Sequence, residues 1–174
     1  PWLETGTEYT LIQYTGTLVG NTNNLQVQAP PGYRFRIVDP ATTPGTLRVR
    51  VEFAVANLTW RGEDPVAPGV WDIEGSRNWL RSGQPGQFAA GDFATFDDLS
   101  AVRDVELRGT VETSGLTFNH TSGRYRLHGT GRLTGPGGID INGGGGVILA
   151  NLGSNDFAGP VTIYAGFLQV GDGS

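Results

Sequence analysis

The chain has 174 residues, with 12 basic and 17 acidic side chains for a net charge of −5. All 12 basic residues are arginine, and lysine, cysteine and methionine are absent. This removes P-loop phosphate binding, Schiff-base catalysis by a side chain, thiol nucleophiles, thiolate metal sites and disulfides. No basic run offers a surface for nucleic-acid phosphates, and no apolar run reaches the 18 residues that a spanning helix needs.

Residues 1–57 read as strands joined by turns. Tyr9–Tyr14 alternates apolar and polar and is closed off by Gly16 and Gly20. Leu25–Ala29 alternates again and ends at Pro30-Pro31-Gly32, a turn with fixed φ. Arg34–Val38 follows, then a loop from Pro40 to Gly45. Leu47–Val55 is the clearest strand, with Leu47, Val49, Val51, Phe53 and Val55 on one face and Arg48, Arg50 and Glu52 on the other. The arginine row is either a strip for an anionic ligand or a solvated face that discourages edge pairing, and the second is the simpler reading.

Residues 58–98 change character. Trp60, Trp71, Trp79, Phe88, Phe93 and Phe96 are spread among glycine, aspartate and asparagine. Aromatics beside polar residues can form a sugar-stacking platform. The simpler reading is that large rings fill a core whose neighbouring positions are small. Pro65, Pro68 and the glycine content argue against a helix, and no segment has a 3.6-residue period.

From Val105 to Val170 the chain becomes a ladder of short strands cut apart by glycine. The units are Val105–Leu107, Leu116–Phe118, Tyr125–Leu127, Ile139–Ile141, Val147–Leu149, Val161–Ile163 and Phe167–Val170. Seventeen of the 28 glycines lie in 109–174, so glycine here is punctuation. Leu116 to Ile139 is 23 residues and Ile139 to Val161 is 22, while Leu127 to Val147 and Val147 to Phe167 are each 20. A period of that size marks a solenoid whose turns carry three short strands and three corners. An antiparallel sandwich with glycine-rich hairpins is the alternative. The expected fold is all-β, with a parallel β-helix (β-solenoid) from residue 99 to 174. It follows a Trp-rich opening segment at 58–98 and a β segment at 1–57 that closes a preceding module.

Leu149–Ser174 resembles the autotransporter-associated β-strand repeat, whose pattern runs from a leucine strand through Asn-x-Tyr/Phe-x-Gly, a Thr-x-Ile strand and x-Ala-Gly to Leu-x-Val-Gly. Asn155, Phe157, Gly159, Thr162, Ile163, Ala165, Gly166, Leu168, Val170 and Gly171 match it, and Pro160 departs at a corner. Leu58–Gly62, Trp71–Ile73, Asn78-Trp79 and Gly91–Asp98 look like the tryptophan-rich opening of such a module. Tyr9–Gly16 with Pro31–Tyr33 looks like the close of the one before. The resemblance implies a right-handed parallel β-helix within a very large secreted or surface-exposed bacterial rod. It brings no catalytic residue and no ligand. Pro1 opens without a methionine and Gly171–Ser174 stops in a turn, so the chain reads as a segment of something longer.

Candidate chemistry is thin. Asp92, Asp97-Asp98 and Glu63-Asp64 could supply a glycosidase carboxylate pair, but they also stand where turns and caps use aspartate. Gly135–Asn142 loosely resembles the calcium-binding nonapeptide of β-rolls, in a single copy with Pro136 replacing a glycine. His120 and His128 fall near corners and are expected at the surface, and no cofactor or metal is expected. Asn57-Leu-Thr59 and Asn119-His-Thr121 match the glycosylation acceptor pattern, which arises often by chance.

The expected function is therefore structural, not enzymatic: a unit of an extracellular or cell-surface filament. It would join further copies or flanking modules of the same polypeptide head to tail. The strands expected to meet are Tyr9, Leu11, Ile12 and Tyr14 at one end and Val161, Ile163, Phe167 and Val170 at the other. The alternative is an adhesin or carbohydrate-binding module that presents Trp60, Trp71 and Trp79 to cell-surface glycans.

Overall fold

A computed structural model describes residues 3, 5–17, 19, 22, 25, 27, 33–38, 40–42 and 44–173, with the backbone alone for 33, 34, 53 and 54. The fold is all-β, with no α-helix among the described residues. The chain divides into two compact units, Pro1–Val55 and Ala56–Ser174.

The first unit is a three-stranded antiparallel sheet in the order β1 (Glu8–Gln13), β3 (Thr46–Ala54), β2 (Tyr33–Val38). The period-2 pattern of β3 buries Leu47, Val49 and Val51 and leaves Arg50 and Glu52 exposed. Arg48 pairs with Glu8 at 3.5 Å and Arg36 with Glu52 at 3.0 Å. The arginine row is thus a solvated, ion-paired face. Leu25 and Val27, from the strand expected over 25–29, lie in no strand, and its other residues and the turn at 30–32 lie outside the described residues.

The second unit is a parallel β-helix. Its first turn holds β4 (Asn57–Trp60) and β5 (Val70–Trp71), followed by a hairpin of β6 (Trp79–Arg81) and β7 (Gln84–Gly86). Then come β8 (Phe93–Phe96), β9 (Asp104–Leu107) and β10 (Thr110–Glu112), and next β11 (Gly115–Phe118), β12 (Arg124–His128) and β13 (Arg132–Thr134). The last turns hold β14 (Ile139–Ile141), β15 (Gly146–Leu149), β16 (Val161–Ile163) and β17 (Phe167–Val170). Residues 93–170 make about four turns. One side is the sheet β16-β14-β11-β8-β4-β6-β7, the second is β17-β15-β12-β9-β5, and the third is the pair β10-β13.

Apart from β6, which pairs antiparallel with β4 and with β7, the pairings described in this unit are parallel, and apolar residues stack on apolar ones. Leu58, Ala94, Leu116, Ile139 and Val161 form one inward column. Phe96, Phe118, Ile141 and Ile163 form the next, with the Phe96 and Phe118 rings stacked at 4.7 Å. Val105, Leu127, Leu149 and Val170 line the second side. Each fully buried side chain of this kind contributes about 1.5–3 kcal/mol. After β13 the third side carries no strand, yet it stays bonded to the turn below. The Leu133 N–H donates to the Asn155 side-chain oxygen at 2.8 Å, and the Asp156 N–H donates to the Leu133 carbonyl at 3.0 Å.

The ladder keeps the expected pairings of Leu116 with Ile139 and Ile139 with Val161. It corrects the 20-residue spacings. Leu127 pairs with Leu149 and Val147 with Leu168, so Phe167 faces outward over Gly146. The cause is β15, which is buried at all four positions and gives no alternation from which to fix register.

Candidate assembly edge

The last turn differs from those beneath it. β16 pairs with β14 alone and β17 with β15 alone, so each leaves one ladder edge unpaired among the described residues. Val161 is 44% exposed, Ile163 48%, Phe167 45% and Val170 80%, whereas Ile139 and Ile141 one turn earlier are 0%. The corner between them is set by Gly166 at φ +74°, where a side chain would collide with the Gly145 carbonyl. Just beyond β17, Asp172 accepts a bidentate pair from Arg126 of β12 at 3.0 and 2.6 Å, which ties the turn back across two rungs. The result is a pair of strand edges with exposed apolar side chains beside N–H and C=O groups left unpaired among the described residues.

At the opposite end a hairpin covers the long sheet, while β5 of the second sheet pairs with β9 alone and its Val70 carbonyl accepts from the Ser76 hydroxyl and the Asn78 amide. β6 pairs antiparallel with β4, and β7 ends the sheet with Pro85, which has no N–H to offer. The hairpin turns through Ser82 at φ 50° and Gly83 at φ 79°, the two positive φ values of a type I′ loop. Beneath it Trp60, Trp71, Trp79, Phe88 and Phe96 pack with ring centroids 4.9–5.9 Å apart. All three tryptophans are 0% exposed. The sugar-stacking reading of Trp60, Trp71 and Trp79 is corrected accordingly. A platform needs an open ring face, and these rings fill the wide end of the core. The Trp60 indole donates to the Val102 carbonyl at 2.8 Å, while those of Trp71 and Trp79 have no hydrogen-bond partner in the structure.

A buried polar network fixes the loops around this cap. Asn78 is 0% exposed; its side-chain oxygen accepts from the Asp64 N–H at 2.7 Å, and its amide donates to the carbonyls of Ala67 and Val70, both at 2.7 Å. Asp64 accepts from the N–H groups of Val66, Ala67 and Arg77, with Arg77 the largest influence holding its carboxyl below the usual range.

Asp92, Asp97 and Asp98, also singled out in the sequence, are similarly engaged. Burial pushes the Asp92 carboxyl up, against the Ala56 and Ala89 N–H groups and Arg81, which donates to it at 2.6 Å. Asp97 accepts from Arg61 and the Leu99 N–H. Asp98 accepts from the Thr121 N–H and hydroxyl and from Arg103, and the Thr121 N–H above all holds its pKa down. Gly135–Asn142 forms the corner into β14, where Ile139 and Ile141 enter the core. Among the described residues no group of three or more His, Asp or Glu is placed to hold a metal ion.

His120, expected at the surface, is 0% exposed. Its Nε2 lies 3.0 Å from the Gly146 carbonyl and its ring meets Tyr125 edge-on at 4.9 Å. Gly143–Gly145 of the next turn leave the room it needs, since a side chain on Gly145 would overlap the imidazole. Desolvation lowers its pKa. The same burial pushes Tyr125 up to about 12, with its hydroxyl donating to the Asp97 carbonyl at 2.7 Å.

In the first unit, β1 pairs with β3 alone, so it too has a free edge among the described residues. Leu11 and Ile12 are 54% and 53% exposed, while Tyr9 and Tyr14 are half-buried and the Tyr14 N–H donates to the Gly45 carbonyl. The register shift between Thr10 and Ile12 leaves Leu11 opposite no residue of β3. Val161, Ile163, Phe167 and Val170 thus share the last turn, on the edges of two sheets, and Tyr9, Leu11, Ile12 and Tyr14 lie at an edge of the other unit. Compared with known proteins, the chain matches no protein-family model, no curated protein and no solved structure.

Proposed function

We propose that this chain is a structural unit of an extracellular bacterial fibre or surface rod, of the autotransporter-repeat kind that its 149–174 segment resembles. The rod lengthens at the β16–β17 turn, where either a flanking module or another copy supplies the next rung. The observation that carries this reading is the contrast between the two ends of the solenoid. At one, a proline-bearing hairpin over a tryptophan cluster covers the long sheet, and the other presents the edges of two parallel sheets with exposed Val161, Ile163, Phe167 and Val170. Heterologous contacts of this sort do not close, so they build filaments.

Sedimentation over a concentration series tests whether copies join. The wild type is expected to associate with rising concentration, and Ile163→Lys, which places a charge in the open rung, is expected to stay monomeric. A wild type that remains monomeric throughout, together with native material that forms discrete globular particles, would overturn the reading.

A further inference from the structure

The long sheet of the solenoid is built on a repeated triplet, apolar–threonine–apolar. It reads Leu58-Thr59-Trp60 in β4, Ala94-Thr95-Phe96 in β8, Leu116-Thr117-Phe118 in β11 and Val161-Thr162-Ile163 in β16. In β14 Asp140 takes the threonine position. The ladder sets Thr59, Thr95, Thr117, Asp140 and Thr162 in one outward rank, with the apolar members turned into the core. Among the described strands outside this sheet, β1 alone carries the same triplet, Tyr9-Thr10-Leu11.

Three further observations point the same way. Both β1 and β16 have a free ladder edge among the described residues. Val161–Ile163 carries no charge, so β16 lacks the usual protection of an edge strand, while β1 has its one charge at Glu8, which pairs with Arg48, and a register irregularity between Thr10 and Ile12. On the sheet that holds β16, the other end is the antiparallel β6–β7 hairpin with Pro85, so a parallel rung-on-rung continuation of that sheet onto a second solenoid is disfavoured there.

Building on the rod reading, we propose that β1 of a second copy adds in parallel to β16, with Tyr9 opposite Val161, Thr10 opposite Thr162 and Leu11 opposite Ile163. Thr10 continues the outward threonine rank, and Leu11, unpaired on β3, covers Ile163. Main-chain hydrogen bonds supply the affinity and the triplet supplies the register, as in strand addition generally. β1 keeps its pairing with β3 because it donates its other edge.

The absence of native cysteine makes the test direct. Separately prepared Thr10→Cys and Thr162→Cys chains are mixed at an associating concentration and treated with a short bismaleimide, so any heterodimer joins two copies. The expected result is a crosslinked heterodimer for this mixture and none for Thr10→Cys mixed with Thr59→Cys at the closed end. Leu11→Lys is expected to abolish association, whereas Leu99→Lys, at another exposed apolar position, leaves it intact. Association that persists without the Thr10–Thr162 crosslink, or that survives Leu11→Lys, overturns the strand addition and leaves the rod standing. Absence of association overturns the strand addition as well. The rod itself then falls only if native material also lacks the axial rung repeat.

Discussion

The ring of Phe167 lies on Gly146 of the preceding turn, and a Cβ at Gly146 would overlap it. The two face each other across the β15–β17 ladder, on the outside of the solenoid. An aromatic ring laid over a strand glycine supplies the cover that the glycine lacks. Phe93 over Gly115, paired across β8 and β11, repeats the arrangement. Gly146→Ala is therefore expected to displace the Phe167 ring and loosen the open turn. Hydrogen exchange should then accelerate at β17 amides while β9 and β12 amides keep their protection.

Asn78 is the hub of the loops at the closed end. Asn78→Ala removes the partners of the Asp64 N–H and of the Ala67 and Val70 carbonyls at a fully buried site. A buried group left unsatisfied costs about 1–3 kcal/mol. The urea midpoint is expected to drop by an amount equivalent to about 3 kcal/mol, with an unchanged m-value, which would mark lost stability without lost compactness.

Trp79 sits between Trp60, Trp71, Phe88 and Phe96 under the hairpin. Trp79→Ala is expected to destabilise the second unit by about 3–5 kcal/mol, as for a large ring removed from a packed core. Phe at the same position should recover much of that loss. An exposed, sugar-facing tryptophan would give almost no change in a denaturation curve.

His120 gives the protein a pH response of defined sign. Its folded-state pKa lies below 6.5, through desolvation first and the nearby Arg103 guanidinium second, against the Gly146 carbonyl bond and Asp98, which favour the charged ring. The unfolded chain therefore binds the proton first as pH falls. Stability is full above about pH 6.5 and is lost as pH drops through that value toward the folded pKa. Thermal midpoints measured from pH 7.5 down to the carboxylate range should decline for the wild type. His120→Phe should remove the part of the decline that begins near pH 6.5.

The sequence carried the fold well where strands alternate. Leu116-Thr-Phe118, Ile139-Asp-Ile141 and Val161-Thr-Ile163 announce both their inward faces and their pairing, since one residue of slip would turn every apolar side chain out. It failed on Gly146–Leu149, where Ile148 faces outward yet is 9% exposed. The burial of His120 is hidden from the sequence for a different reason: it depends on Gly145 one turn away and on the Tyr125 ring, neither adjacent in sequence. The closed end did leave a local sign. Asn78–Arg81 and Gln84–Gly86 flank Ser82-Gly83, a two-residue hairpin signal masked by its short strands and Pro85. The burial of Trp60, Trp71 and Trp79 agrees with the simpler reading, large rings set among small residues to fill a core, although the same pattern also admits a ligand-facing platform.

The most direct test of the account is high-resolution electron microscopy of the native material. The account predicts an unbranched filament with rungs repeating at about 4.7–4.9 Å along its axis, and density continuing past β16 and β17 without a gap. Discrete particles, with a separate capping element lying over Val161, Ile163, Phe167 and Val170, would contradict it.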